Sequence, residues 1–370
     1  MMEYLKEALE VYSQYENYIP SFDEAREILI KEFLDKSDLV KLLNIEDERL
    51  IRIMAKKAKK LTEANFGKVI MLFAPLYISN FCQNGCTYCG FSNLKNCPRE
   101  RLEREQMEIE MKSLKDEGID SVIILTGEDR VNSDFEYIKS ACSVAVDYFS
   151  EVSIEVYPLL ENEYEELAKI GVVGITIYQE TYQKDDYEKL HLFGPKKDYE
   201  FRLLTPERAL KTGFHEACVG PLLGLSHPEK DAFCAILHAE YLMNKFPKAE
   251  ISLSFPRFRD ANTGFKPSYL VSDKEYIKFL LAARIYLPRV GIVISTRERA
   301  ALRDALMDIC ITKMSAGSKT TVGGYATSKD EKLGQFEIDD SRSVSEIVNV
   351  IIQKGLRPEF TNWVKGVGKL

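Results

Sequence analysis

Eight short, apolar, β-prone runs alternate with amphipathic helical stretches along most of this 370-residue chain. The runs fall at residues 69–74, 121–126, 152–157, 174–178, 215–220, 250–255, 291–296 and 310–315. Helical periodicity fills the gaps at 101–117, 135–148, 161–170, 206–212, 230–245, 272–286 and 298–307. Strand and helix in strict alternation call for parallel pairing with helical crossovers, and eight such units close into an α/β fold of the (β/α)₈ TIM-barrel type. Buried parallel strands read as unbroken apolar runs, as 121–126 does. Two further helices are expected before the first strand, at 22–34 and 45–63. The layout expected is an N-terminal helical extension over 1–66, a barrel over 67–340, and a C-terminal helix and tail over 341–370.

Barrel active sites lie at the C-terminal ends of the strands. Here those ends are polar: Thr126-Gly127-Glu128 after the second run, Glu155 in the third, Gln179-Glu180-Thr181 after the fourth. Ser254-Phe255-Pro256-Arg257, Ser295-Thr296-Arg297-Glu298 and Ser315 to Thr320 follow the last three. Ordinary loop polarity is the alternative for any one of them; together they suggest a shared site. With 50 basic and 58 acidic residues the net charge is −8, which disfavours general nucleic-acid binding. The basic run Lys56 to Lys60 reads as a solvated helix face. Neither a signal peptide nor a membrane-length apolar run is present, so a cytoplasmic protein is expected.

In that compartment eight cysteines are not read as four disulfides. Three of them form Cys82-Gln83-Asn84-Gly85-Cys86-Thr87-Tyr88-Cys89, a C-x₃-C-x₂-C spacing. Three close thiolates can hold three corners of a [4Fe–4S] cubane. The fourth iron is then free to chelate the amino and carboxylate groups of S-adenosylmethionine (SAM), whose one-electron cleavage yields a 5′-deoxyadenosyl radical. A closed zinc site wants four ligands, and Cys97 is the candidate to complete one. Scattered structural cysteines are the remaining alternative. Cys142, Cys218, Cys234 and Cys310 sit in apolar patterns and read as core. For SAM, Phe91 is a candidate neighbour of the adenine. The Thr126-Gly127-Glu128 turn is a candidate for the ammonium, and Glu155 and Gln179 for the ribose hydroxyls or the methionyl end.

The segment Tyr77-Ile-Ser-Asn-Phe-Cys-Gln-Asn-Gly-Cys-Thr-Tyr-Cys-Gly-Phe91 resembles the radical SAM aromatic amino acid lyases, and most of all the 2-iminoacetate synthases of thiazole (thiamine) biosynthesis. The likeness continues through the blocks at 191–198, 202–208, 220–226, 254–257, 295–298, 315–320 and 323–325. It implies hydrogen abstraction from the amino group of L-tyrosine, Cα–Cβ cleavage, and release of 2-iminoacetate (dehydroglycine) and p-cresol. It also implies an electron donor such as flavodoxin or ferredoxin, and delivery of the imine to a thiazole synthase. Under the resemblance Arg297 is the candidate clamp for the tyrosine carboxylate, or else a surface partner of Glu298. Ser295, Ser315 and Ser318 are candidates near the substrate amino group, or caps of the barrel end. Arg202 is either a SAM carboxylate ligand or a structural ion pair, and His191 a substrate contact or a loop cap. The N-terminal helices are expected to cover the barrel mouth against water. A related tyrosine lyase of [FeFe]-hydrogenase maturation carries a second, C-terminal cluster, but no cysteine follows Cys310 here. A tryptophan lyase, and a non-catalytic iron–sulfur protein that transfers electrons or scaffolds partners, stay open as alternatives.

Overall fold

A computed structural model describes residues 1–260, 263–327 and 334–362 of the chain. Four helices come first: α1 (Met2–Tyr15), α2 (Phe22–Ile30), α3 (Lys36–Leu43) and α4 (Glu48–Phe66). The helix expected over 22–34 therefore ends early, and a separate helix begins beyond its expected end. Ile30 ends one helix, and Asp35 starts the next by accepting from the Asp38 amide while Asp38 reaches back to the Asp35 amide. The barrel follows as β1 (Val69–Ser79), α5 (Arg104–Asp116), β2 (Ser121–Thr126), α6 (Phe135–Tyr148), β3 (Glu151–Glu155), α7 (Glu161–Ile170) and β4 (Val172–Glu180). Three short helices interrupt the pattern, α8 (Lys184–Leu190), α9 (Tyr199–Leu203) and α10 (Thr205–Lys211). It resumes with β5 (Glu216–Pro221), α11 (Pro228–Lys245), β6 (Glu250–Ser254), α12 (Asp273–Tyr286), β7 (Gly291–Ile294), α13 (Ala300–Met307) and β8 (Lys313–Ser315). Helix α14 (Val344–Gln353) and a short strand β9 (Arg357–Glu359) end the described chain, so the last eight residues of the expected tail lie outside it.

Every strand pairing is parallel, in the order β2-β3-β4-β5-β6-β7-β8-β1, and β1 also pairs with β2. The sheet is thus a closed eight-stranded barrel. Strand β9 joins β1 at Val69–Met71, on the edge that β2 takes over from Ala74 onward. Outward-facing strand residues are sealed beneath the helices: Val122, Ile124, Val152 and Ile154 are 0–1% exposed. Their inward-facing neighbours Ile123 and Ser153 keep 8% and 5%. The reversal arises because the inward residues border an open cavity rather than a filled core.

The N-terminal helices do not cover the mouth. They pack on the outside, α4 against α12 and α1 against α3 and α11. Lysines of the basic run help fix them there: Lys59 pairs with Asp308 at 2.7 Å, and Lys57 donates to the Leu29 and Lys31 carbonyls at the end of α2. The upper mouth is covered instead by the segment after β6, whose Phe258 and Phe265 pack with Cys86, Tyr88 and Leu222 in a small second core. Gln335 and Phe336 also reach the mouth.

Candidate active site

The cysteine loop leaves the top of β1 and is braced from outside on every side. Its Gly85 and Thr87 amides donate to the Phe193 and Leu190 carbonyls, and Leu192 donates back to Gly85. A side chain on Gly85 would strike the Phe193 ring. Asn84 donates from Nδ2 to the Glu128 carboxylate at 2.7 Å and accepts the Lys196 amide at 2.9 Å. The Gln83 amide donates to the Glu128 carbonyl. Arg99 gathers the carbonyls of Asn80, Phe91 and Ser92 on the far flank.

His191 belongs to this brace. Its Nδ1 lies 2.7 Å from the Tyr187 carbonyl, which can only accept, so Nδ1 carries the proton. Nε2 then accepts from the Tyr88 hydroxyl at 2.8 Å. Burial, with the Lys196 charge behind it, pushes the imidazole pKa down to about 3, so the neutral tautomer persists at neutral pH. His191 thus orients the aromatic residue between Cys86 and Cys89.

Two cavities meet beside this loop. One, of about 70 Å³, is bordered by Cys89, Tyr88, Glu180, Lys196 and Arg259. The other, of about 100 Å³, runs down the barrel axis past Ser295, Ser315 and Ser318 to Glu216 and Lys313. Glu155, Tyr178, Arg297 and Phe336 border both. Arg297 stacks on the Phe336 ring, 3.3 Å from its centroid, and its guanidinium forms no ion pair among the described residues. Burial pulls its pKa down, and Tyr77, Tyr178 and Glu155 oppose that shift. Burial lifts the Glu155 carboxyl to about 7 against the pull of Arg297. Glu180 differs: burial pushes its carboxyl up, but Lys196 at 2.6 Å and Arg202 at 3.4 Å outweigh that and hold it ionised. Its backbone is left-handed, with φ of 71°, a strained state for a glutamate that aims the carboxylate at both cations.

Residues 76–238 match the Radical SAM superfamily, and residues 254–357 match the Biotin and Thiamin Synthesis associated domain. Over 337 residues the chain is 32% identical to the 2-iminoacetate synthase of Escherichia coli (strain K12), covering 91% of this chain and 89% of that one. The chain belongs to the radical SAM family of 2-iminoacetate synthase. The structure of the FeFe-hydrogenase maturase HydG from Carboxydothermus hydrogenoformans is also similar, with a TM-score of 0.89 at 32% identity over 98% of this chain and 85% of that one. Methylornithine synthase (PylB), at 19% identity, shares the fold, with a TM-score of 0.72 over 90% of this chain and 97% of that one.

The cofactors of a radical SAM protein are a [4Fe–4S] cluster and SAM, and the residues present fit both. Cys82, Cys86 and Cys89 are free thiols. Among the described residues no three His, Cys, Asp or Glu side chains converge as the ligands of a single ion would. The C-x₃-C-x₂-C order of the three suits a cubane, where each thiolate takes its own iron. The cavity at Cys89, with Lys196, Glu155 and Arg259 around it, is the candidate space for SAM.

Several of the residues expected at SAM also have partners within the protein. Gln179 turns its amide to the Tyr199 carbonyl, outside both cavities. Glu128 is spent on Asn84, and the Gly127 amide on the Ser79 carbonyl, so this turn supports the cysteine loop. Thr126 keeps a buried hydroxyl without a partner. Phe91 packs edge-on against Tyr77, and Arg202 binds the Tyr178 carbonyl and Glu180 from behind. Ser295 and Ser315 border the axial cavity while accepting the Arg297 and Thr296 amides, and the buried Ser318 hydroxyl is unpartnered. The pairing of Arg297 with Glu298 does not occur: Glu298 takes Arg257 in a two-pronged ion pair. Glu180 and Lys196 escaped the sequence reading. The only signal was the polar end of the fourth strand, where attention fell on Gln179.

Proposed function

We propose that this chain is an L-tyrosine lyase that forms 2-iminoacetate and p-cresol, serving thiazole assembly in thiamine biosynthesis. The observation that carries this reading is Arg297, a guanidinium with no ion pair among the described residues, where the two cavities join. A buried cation left without a counter-charge is costly unless a ligand supplies one. An α-carboxylate does so, with the two-pronged geometry that arginine favours. When bound, the reduced cluster and SAM would supply a 5′-deoxyadenosyl radical, the hydrogen-abstracting agent that cleavage of the tyrosine Cα–Cβ bond requires.

The chain's own residues do the rest. Arg297 holds the carboxylate at the seam, and Ser295, Ser315 and Ser318 surround the place left for the amino group. Tyr77 and Tyr178 wall the space between the cavities, each fixed by its hydroxyl, to Gln335 at 2.8 Å and Ser254 at 3.1 Å. Glu155 and Lys196 face SAM. The packed segment after β6 keeps water from the radical. An electron carrier such as flavodoxin or ferredoxin supplies the reducing electron. The test is anaerobic incubation with reductant, SAM and tyrosine. p-Cresol release is expected. Formation of 5′-deoxyadenosine with intact tyrosine would refute this substrate, and an indole product from tryptophan would redirect it.

A further inference from the structure

Barrel interiors are ordinarily filled by layers of bulky branched side chains. The middle layer of this barrel is filled on one side only. Phe73, Ile123 and Val293 form an apolar wall on β1, β2 and β7. Facing them across the axial cavity, β3 to β6 present Ser153, Thr176, Cys218 and Ser252. Thr176, Cys218 and Ser252 stand in register on adjacent strands, and Ser153 is paired with Gly174. Four consecutive strands thus carry small polar side chains where volume is normally needed.

Within that wall the Ser153 hydroxyl is singular. It is buried, borders the cavity, and has no hydrogen-bond partner among the described residues. Gly174 makes room for it: a Cβ there would lie 2.5 Å from Ser153 Oγ and 3.2 Å from Glu216 Oε2. The hydroxyl and the Glu216 carboxylate therefore share the space above one glycine. A buried, unpaired hydroxyl costs stability, so it persists where a ligand completes it. Ser153 lies two residues below Glu155, a drop of about 6.6 Å along the strand. Glu155 flanks Arg297 at the cavity seam, so an amino acid held there by its carboxylate and pointing down the axis puts a tyrosine-sized side chain's tip in this layer.

We propose that Ser153, with Glu216 beneath it, forms the subsite for the phenolic hydroxyl and makes the enzyme select tyrosine over amino acids that lack it. This rests on the lyase reading and deepens it. The Ser153 hydroxyl donates to the phenolic oxygen, and the phenolic O–H donates to the Glu216 carboxylate. The apolar wall of Phe73, Ile123 and Val293 takes the ring faces. A site built around a hydroxyl rejects the analogue without it, because its own polar groups are then left unpaired.

The test uses the cluster-loaded enzyme with SAM but no reductant, and measures tyrosine and phenylalanine binding by calorimetry. The wild type should prefer tyrosine by about a hundredfold or more. In Ser153→Ala, tyrosine affinity should fall about tenfold while phenylalanine affinity holds. The variant should melt no lower than the wild type, since it deletes an unpaired buried group. A Ser153→Ala enzyme with the wild-type tyrosine-to-phenylalanine ratio would overturn the subsite, as would one whose only change is a lower melting temperature. Adding reductant separates the two proposals. If p-cresol never appears although the binding ratio shifts as stated, the lyase reading fails and the subsite stands.

Discussion

At the upper mouth of the barrel Arg297 faces Glu155 across the joined cavities with no ion pair among the described residues, whereas at the lower end Lys313 is locked to Glu151 at 2.5 Å and to Glu216 at 3.5 Å. Both cations lie deep in the same barrel and both lose hydration. Burial pulls the Lys313 ammonium down, but Glu216 and Glu151 outweigh it and raise its pKa, while the Arg297 guanidinium stays below its ordinary value. The difference teaches how to tell a binding charge from a structural one. A cation held between carboxylates closes space; an unpaired one, bordering a cavity, awaits a ligand. The lower pair separates the axial cavity from a wide vestibule of about 700 Å³ on the other side, where Glu151, Glu216 and Lys313 are again part of the wall.

The sharpest way to break this contrast begins with what the upper end is open for. Cys89→Ala should abolish the cluster, and Cys97→Ala should leave it intact; iron content and 5′-deoxyadenosine formation in the two variants read this directly. Loss of iron in Cys97→Ala would restore the four-ligand site. Next come the two cations themselves. Arg297→Ala should weaken tyrosine binding by about a hundredfold or more, with SAM binding and melting temperature nearly unchanged. Lys313→Met should do the reverse on stability, costing about 3–5 kcal/mol by leaving two buried carboxylates without their partner. Equal destabilisation of both variants in denaturant titration would erase the distinction.

The smallest effect is a pH slope. Glu155 titrates near 7 in the folded chain and near 4.3 when unfolded, so between those values the folded state binds the extra proton. Wild-type stability therefore falls as pH rises through that window. Glu155→Gln should remove that fall, so its melting temperature should gain on the wild type between about pH 4.5 and 7.5 and level off above. A constant difference across pH would remove Glu155 from the list of strained upper-mouth charges.

Much of the scaffold was readable in the residues. β2, α6 and α7 occupy the expected positions, because each is a clean run of one periodicity. Where boundaries moved, a tertiary or capping contact decided them. The run at 310–315 reads as one strand, yet Cys310 still bonds back to Leu306 and only Lys313–Ser315 pairs. β1 continues five residues past its expected end, through Pro75, since its upper half pairs with β2. β9 was invisible, being three residues with a proline at its centre. For the site, three cysteines within eight residues announce themselves. The Arg257–Glu298 and Lys196–Glu180 pairs cannot be read from neighbours in sequence, because the partners meet only once the barrel has closed.

The stitch between β1 and β9 carries a cost in time. Translation delivers Val69–Met71 long before the ribosome makes Lys313–Ser315 or Arg357–Glu359. Until then the founding strand of the ring waits with bare edges, an adhesive template for any extended peptide nearby. Nascent chains of this protein should therefore depend on chaperones most strongly in the interval just before about the last sixth of the polypeptide emerges.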